Sequence, residues 1–322
     1  MKNNFTVRAA ALCSALLAAT LVHAQSWPTK PIRFVVPFTA GGANDLMARA
    51  AAEGAGKALG QAVVIDNKPG AGGSLGADFV AKSAPDGYTF LISAAGVISN
   101  HMIKKSMPFK ESDLVPVALI ALAPSIIVAP PNATYSNLKE FVEASKKEPE
   151  GFNFATAGTG STPHFVAEIL KSKYGAQLQV VPYKSGNESA TAIMGGQVQA
   201  TSEASIISLP KIQGGKMKAL ANTWTSRISS YPQLTTTGEQ GFPEIKIAHW
   251  AGVHAPAGVP ADVMDKVAAA VDTAMKTPEI GNRLKAVGIE PMGGTRAAFV
   301  QFVAEEKGRL AAIVKASGMK EE

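Results

Sequence analysis

Cysteine, charge and aromatic side chains are all scarce in this 322-residue sequence, and each scarcity excludes a class of protein. The only cysteine, Cys13, lies in an apolar N-terminal segment, so the rest of the chain has no thiol for a disulfide, a cysteine metal site or a cysteine nucleophile. Charged residues make up 17%, and the scattered Lys and Arg residues form no basic stripe that would bind nucleic acid. Hydrophobic residues reach 46%, which excludes a disordered chain.

The apolar N-terminal segment is typical of a secretory signal peptide. Lys2 and Arg8 precede an apolar run over residues 9–22, and Val22-His23-Ala24 resembles a cleavage site. The run has about 14 residues, fewer than the roughly 20 that cross a bilayer, and no later segment is apolar for that long. We therefore predict a signal peptide over residues 1–24 and a soluble, exported mature chain from about Gln25.

Short β-branched runs alternate with Ala- and Leu-rich stretches along the rest of the chain, which predicts an α/β fold with largely parallel strands. Residues 115–131 are nearly uncharged and are interrupted by Pro116 and Pro124, so we expect two strand segments with a break where the chain crosses between lobes. We expect the return crossing near residues 245–256. The predicted division is residues 25–123 with 250–322 in lobe 1, and residues 124–249 in lobe 2. Predicted strands cover residues 32–36, 62–66, 88–93, 115–122, 125–130, 152–155, 179–182, 217–221 and 249–255.

Two segments, one in each predicted lobe, share the order strand, glycine turn and helix start. The first turn contains Gly41 and Gly42, and the second contains Gly158 and Gly160. Each places free backbone N–H groups and the positive end of a helix beside small residues, which favours an anion site. Gly-rich turns also simply connect strands to helices, so the pair indicates more than either turn alone. A cleft with one such turn on each wall suits a ligand with carboxylates at one or both ends.

Motifs along the whole mature chain resemble the Bug family of periplasmic solute-binding receptors, the extracytoplasmic components associated with tripartite tricarboxylate transporters. The family implies two α/β lobes of the type II periplasmic-binding-protein fold, with a ligand cleft between them that closes by hinge motion. The residues that carry the resemblance are the segments Trp27 to Phe38, Gly41-Gly42 with Asp45, Asn67-Lys68-Pro69-Gly70 with Gly72 to Ala77, Pro85 to Thr89, Ala157 to His164, Val181 to Lys184, Gly195 to Val198 and Ala255 to Pro260.

The resemblance also implies a ligand site. One end of the carboxylate ligand would contact Thr39, Ala40, Gly41, Ala43 and Asp45, partly through backbone amides, and the other end would contact Thr159, Gly160, Ser161 and His164. A third loop, from Ser93-Ala94-Ala95-Gly96 through Asn100-His101, follows the family pattern only loosely. His164 could alternatively be a structural hydrogen-bonding residue, and its place beside Ser161 favours contact.

Several residues bear on the identity of the ligand rather than on the class of protein. Glu203 stands where the family has an aspartate that can reach the ligand. A second negative charge would be disfavoured there unless Glu203 is protonated, paired or faces a cationic or hydroxyl group. Phe38 and Trp250 could stack on an aromatic carboxylate if both face the cleft. The alternative for both rings is packing in the hinge and the core.

A secreted serine hydrolase is the alternative function, because Gly72-Gly73-Ser74-Leu75-Gly76 matches the Gly-x-Ser-x-Gly nucleophile motif. That mechanism needs the serine on a sharp turn directly after a strand, whereas seven residues separate the predicted strand from Ser74. We expect no metal or cofactor, since no His-Glu-x-x-His occurs and His249 and His254 face opposite sides of a predicted strand. The favoured hypothesis is a monomeric, non-enzymatic periplasmic receptor for a small organic carboxylate, with dicarboxylates favoured, that serves a membrane transporter or a sensor.

Overall fold

The computed structural model describes residues 27–320, so the predicted signal peptide and Cys13 lie outside the described residues. Strands and helices alternate along most of this range. The strands are β1 (Ile32–Val36), β2 (Val63–Asn67), β3 (Thr89–Ser93), β4 (Leu114–Ala129), β5 (Phe152–Thr156), β6 (Leu178–Pro182), β7 (Ala200–Ala204), β8 (Lys218–Asn222), β9 (Ala248–Pro256) and β10 (Glu290–Pro291). The helices are α1 (Ala43–Leu59), α2 (Ser74–Ala81), α3 (Ala95–Ile103), α4 (Leu138–Ser145), α5 (Thr162–Tyr174), α6 (Gly186–Met194), α7 (Ser205–Gln213), α8 (Ala261–Lys276), α9 (Pro278–Ala286) and α10 (Arg296–Ser317).

One mixed sheet carries the fold, with eight strands in the order β2-β1-β3-β9-β4-β7-β5-β6 and with β8 and β10 also paired to β4. The outer strands are parallel: β1 pairs with β2 and β3, and β5 pairs with β6 and β7. The central strands β4 and β9 pair antiparallel with each other and with their other neighbours. Two parallel α/β units are therefore joined through a pair of long antiparallel strands.

The break predicted within residues 115–131 is wrong, because β4 is a single strand of 16 residues that passes through both prolines. Register shifts between Pro116 and Ala118 and between Leu119 and Ala121 absorb the distortion on the β9 side. The pairing partners change at Pro124 and Ser125: up to Pro124 the strand pairs with β9, and from Ser125 onward with β7 and β8. The proline thus lies where one set of ladder hydrogen bonds ends and the next begins.

The lobe boundaries remain a prediction, which this change of partners supports. The chain enters the second unit at β4 and returns at Ala248, the residue paired with Pro124. The C-terminal helices follow that return. α8 packs on α1, while the 22-residue α10 contacts β4, α3 and α5 and so touches elements from both predicted lobes.

Apolar faces of the helices cover both sides of the sheet. The largest fully buried side chains include Trp250, Phe34, Phe90, Phe154 and Phe299. No helix among residues 27–320 is both long enough and apolar enough to cross a membrane.

Candidate ligand-binding cleft

The first glycine turn, residues 37–42, leads from β1 into α1. Gly41 has φ +78°, a conformation that favours glycine, and the next residue, Gly42, is the N-cap of α1 without a side-chain cap. Thr39, Ala40 and Gly41 are exposed. The exposed part of the turn leads directly into the uncapped start of a 17-residue helix, whose first three residues are buried. The positive end of the helix dipole lies there.

Asp45 holds the first turn in shape. Its buried carboxylate accepts hydrogen bonds from the Gly41 amide at 2.9 Å, from Arg49 Nε at 2.9 Å and from Asn67 Nδ2 at 2.9 Å. Burial alone would raise the pKa of Asp45, but the hydrogen bonds from Arg49, Gly41 and Asn67 together lower it below its ordinary value. Asn67 also donates to the carbonyl of Phe38 at 3.1 Å. Asp45 is thus an ionised support for the loop, with its oxygens already engaged by protein groups.

The second glycine turn, residues 157–161, leads from β5 into α5 in the same way. Gly158 and Gly160 have φ values of +97° and +76°, and Ser161 is an N-cap whose side chain does not cap the helix. The Ser161 hydroxyl instead donates to the Gly158 carbonyl at 2.6 Å. The amide groups at the start of α5 therefore lack a side-chain acceptor, as they do at α1.

His164 stabilises the second turn through a hydrogen bond with its backbone. Its Nδ1 accepts a hydrogen bond from the Gly160 amide at 3.1 Å, which leaves the proton of the neutral imidazole on Nε2, 3.8 Å from Glu168 Oε1. Burial lowers the pKa of His164, so the ring is neutral at pH 7. His164 therefore has the structural hydrogen-bonding role that the sequence left open. A direct contact between His164 and a ligand stays a prediction.

Helix α3 and the turn at residues 70–73 bring the two glycine turns together. Ser99 Oγ donates to the Gly160 carbonyl at 3.0 Å, and Asn100 Nδ2 donates to the Gly72 carbonyl at 3.0 Å. A Cβ on Gly72 would lie 3.8 Å from the Thr159 carbonyl oxygen, and one on Gly73 would lie 3.4 Å from the Phe38 ring. Both turns therefore lie against the same third segment.

Glu203 is the second-to-last residue of β7 and lies beside Gly186, the first residue of α6. Its side chain lies so close to Gly186 that a Cβ there would overlap with Oε2, and Oε1 is buried without a hydrogen-bond partner among the described residues. Burial raises the pKa of Glu203 to about 8. The carboxyl is therefore mostly neutral at pH 7, which removes the charge conflict that the sequence raised for a carboxylate ligand.

Trp250 and Ser93 are placed away from an open cleft surface. The Trp250 ring is 1% exposed and packs edge-on against Phe299 and Phe302, at centroid distances of 6.1 and 5.6 Å. Ser93 is fully buried and hydrogen-bonds to Gly252 and His254. Stacking of Trp250 on a ligand does not fit this packing, whereas Phe38 is half-buried at the first turn and keeps part of its ring accessible.

Ser74 does not have the surroundings of a catalytic serine. It begins α2 after the turn at residues 70–73, and its buried Oγ receives hydrogen bonds from Asn100 Nδ2 at 3.0 Å and Lys104 Nζ at 3.3 Å. Neither a histidine nor a carboxylate is among its hydrogen-bond partners within residues 27–320. Within that range no cluster of three or more His, Cys, Asp or Glu side chains is arranged to hold a metal ion.

Sequence reasoning missed Asn67, Ser99 and Asn100 as site residues. Asn67 follows a strand and precedes a Pro-Gly turn, a signal that could have indicated a loop-holding side chain. Ser99 and Asn100 lie in a short helix without a distinctive motif. Only the tertiary contact with Gly160 and Gly72 reveals them.

The fold and the two uncapped helix starts define a solute-binding protein of the periplasmic class. The chain belongs to the tripartite tricarboxylate transporter family receptors, whose profile matches residues 47–319. The predicted resemblance and the predicted α/β periplasmic-binding fold are thereby confirmed. The family is one of binding proteins rather than enzymes.

Three solved structures illustrate the similarity. The periplasmic binding protein BugD is 31% identical with a TM-score of 0.84, covering 92% of this chain and 100% of BugD. A Rhodopseudomonas palustris protein, Rpa4515, crystallised with adipate, is 29% identical with a TM-score of 0.87, covering 91% and 99% of the two chains. MatC from the same organism, with bound malate, is 28% identical with a TM-score of 0.83, covering 89% and 100%. Adipate and malate are both dicarboxylates.

Proposed function

We propose that this chain is an exported periplasmic receptor that binds an aliphatic dicarboxylate in the cleft, with one carboxylate at the first glycine turn and the other at the second. The observation that carries the proposal is the pair of uncapped helix starts, at Gly42 and Ser161, on turns that lie against the same segment around Gly72. Each start offers free amides and a positive helix end to one carboxylate. The adipate and malate bound to similar proteins support a ligand with two carboxylates.

The surroundings favour an aliphatic chain between the two carboxylates. Trp250 is buried in the core, so Phe38 is the only one of the two proposed aromatic contacts that is accessible. Glu203, neutral at pH 7, adds no opposing charge. Thr39 and Thr159 supply hydroxyl groups that can donate to the carboxylates. The Ser161 oxygen, whose proton is donated to the Gly158 carbonyl, can accept from a hydroxyl substituent such as that of malate.

The receptor would deliver its ligand to the membrane subunits of a tripartite tricarboxylate-type transporter or to a sensor. The family membership supports the transporter. A cleaved signal peptide over residues 1–24 and a monomeric state remain part of the proposal. Protein recovered from the periplasm should begin at about Gln25 in N-terminal sequencing.

The first test is calorimetric titration of the periplasmic protein with malate, succinate, glutarate and adipate. Each should be compared with the monocarboxylate of equal length, for example adipate with hexanoate. Removing one carboxylate leaves one helix start unfilled, and we expect the monocarboxylate to bind about 2–3 kcal/mol more weakly, or roughly 30- to 160-fold. Equal affinity for adipate and hexanoate would contradict a site with two carboxylate positions.

A matched pair of glycine variants tests the first turn. Gly41 and Gly60 have φ values of +78° and +67° and lie at opposite ends of α1, and a Cβ added at either position would have no atom within 4 Å. Gly41→Ala and Gly60→Ala should therefore strain the backbone similarly, by about 1 kcal/mol. We expect only Gly41→Ala to weaken dicarboxylate binding, by at least about tenfold, because it alters the ligand loop. Equal binding by both variants would place the ligand elsewhere.

A further inference from the structure

A second cavity of about 540 Å³ lies in the first lobe, apart from the glycine turns. Helix α3, the segment at residues 107–116, strand β9 and helix α10 surround it. Its walls are mostly apolar side chains, and the exposed residues Glu111 and Ser112 mark its opening to solvent. The volume lies within the range of small-molecule pockets in proteins. The lining side chains used below are Val97, Ile98, His101, Phe109, His254 and Val303.

We assign the tautomer of His254 from the hydrogen bonds of Ser93. The single hydroxyl proton of Ser93 is donated to the Gly252 carbonyl at 3.0 Å. The 2.7 Å contact between Ser93 Oγ and His254 Nδ1 must then have Nδ1–H as its donor. Burial lowers the pKa of His254 to about 3, so the ring is neutral at pH 7. Nε2 of His254 is therefore an acceptor.

His101 lines the same cavity through its ring rather than through a free nitrogen. Its Nε2 is buried and has no hydrogen-bond partner among the described residues, while its ring packs edge-on against Phe109 at 5.0 Å. Burial lowers the pKa of His101, and a neutral imidazole can offer either a donor or an acceptor. An imidazole acceptor in an apolar cavity, such as Nε2 of His254, is costly unless a bound molecule or water satisfies it.

The charges at the opening argue against an anionic occupant. Lys307 is paired with both oxygens of Glu111 at 2.7 Å, so its charge is already balanced by a carboxylate at the opening. Among residues 27–320, no Lys or Arg side chain lines the cavity. This chemistry differs from that of the cleft, where helix starts and backbone amides favour carboxylates.

We propose that this cavity is a second ligand site for a small uncharged molecule with an apolar body and one hydroxyl or amide hydrogen-bond donor, which donates to His254 Nε2. The apolar body lies between α3 and α10, against Ile98 and Val303. The proposal does not rest on the identity of the cleft ligand.

Helix α3 separates the two sites. Val97, Ile98 and His101 share the face towards the cavity, whereas Ser99 and Asn100 lie on the face that contacts Gly160 and Gly72. The two ligands should therefore bind simultaneously, on opposite sides of one helix.

Titration with phenol and toluene tests the site, because the two molecules have similar size and only phenol carries a donor. We expect saturable phenol binding that an added dicarboxylate does not displace, and toluene binding about tenfold weaker. Long-range proton–nitrogen correlation of the histidine rings should show His254 protonated on Nδ1, with the Nε2 signal shifting on phenol addition. Displacement by a dicarboxylate, equal binding of phenol and toluene, or a His254 protonated on Nε2 would each overturn the proposal.

Two variants locate the bound phenol. Val303→Trp should fill the cavity and remove binding of both molecules, and Val97→Phe serves the same purpose if the first variant unfolds. His254→Asn keeps a donor to Ser93 but removes the acceptor at the Nε2 position, so phenol should bind about tenfold more weakly and toluene unchanged. Unaltered phenol binding in the filled variants would overturn the site. Failure of every dicarboxylate to bind would instead concern the cleft alone.

Discussion

Glu203 shows that a glutamate can be neutral at pH 7 when its carboxyl group is buried. The folded protein keeps its proton up to about pH 8, whereas the unfolded chain releases it near pH 4.5. The folded state therefore binds more protons between these values, and Glu203 costs the wild-type protein stability as the pH rises through this interval. The cost is the desolvation of a carboxylate whose Oε1 has no partner among the described residues.

Replacing Glu203 with Gln should remove this pH dependence. We expect Glu203→Gln to gain stability relative to the wild type between about pH 4.5 and pH 8, reaching on the order of 5 kcal/mol, and to gain nothing further above that. Urea unfolding at pH 5 and pH 8.5 measures the difference. The exposed Glu148→Gln is the matched control and should show no such trend. A constant difference at both pH values would mean that Glu203 ionises normally.

Glycine allows helices α1 and α8 to approach each other closely. Gly54 in α1 lies so close to α8 that a Cβ would overlap with Cβ of Ala274. In contrast, Gly308 in the interior of α10 has open space around a Cβ. Glycine is therefore required for helix packing at Gly54 in α1 but not at Gly308 in α10.

Alanine at the two positions should have opposite effects. Gly54→Ala gains helix propensity but forces α1 and α8 apart, so we expect a net loss of about 1–3 kcal/mol. Gly308→Ala should gain about 0.5–1 kcal/mol, since only the backbone entropy changes. Chemical unfolding of both variants measures the effects. Stabilisation by Gly54→Ala would show that the two helices can separate without cost.

We expect closure of the whole molecule to depend on contacts between elements of the two predicted lobes. Ser99 of α3, in predicted lobe 1, donates to the Gly160 carbonyl of the second turn, in predicted lobe 2. The central strands β4 and β9 run through both units and are the connection about which the lobes would move. A ligand bound in the closed cleft benefits from every bond that exists only in that state.

Removing the Ser99 hydroxyl should weaken ligand binding, whereas removing a serine hydroxyl at a control position should not. We expect Ser99→Ala to raise the Kd of the best-binding dicarboxylate by roughly 2- to 12-fold, which corresponds to one hydrogen bond of about 0.5–1.5 kcal/mol. Ser83 also donates to a backbone carbonyl, that of Phe79 at 2.8 Å, but on an exposed helix end. Ser83→Ala should leave the Kd unchanged, and calorimetry that finds equal effects would exclude a role for Ser99 in closure.

The sequence by itself determined the elements that local patterns encode. Strand β1 matches its predicted range residue for residue. The turns at Gly41 and Gly160 were predicted because glycine, which tolerates the positive φ found there, precedes a helix start in the sequence. Motif order along the chain was enough to indicate the family.

Only the tertiary structure decided features that depend on residues distant in sequence. Strand β7 was missed because Ala200–Ala204 has no β-branched run, yet all five residues are buried between β4 and β5. The neutral state of Glu203, the burial of Trp250 and the bond from Ser99 to Gly160 follow from packing against partners far along the chain. Burial and desolvation are properties of a whole assembled neighbourhood, so no local pattern in the sequence could determine them.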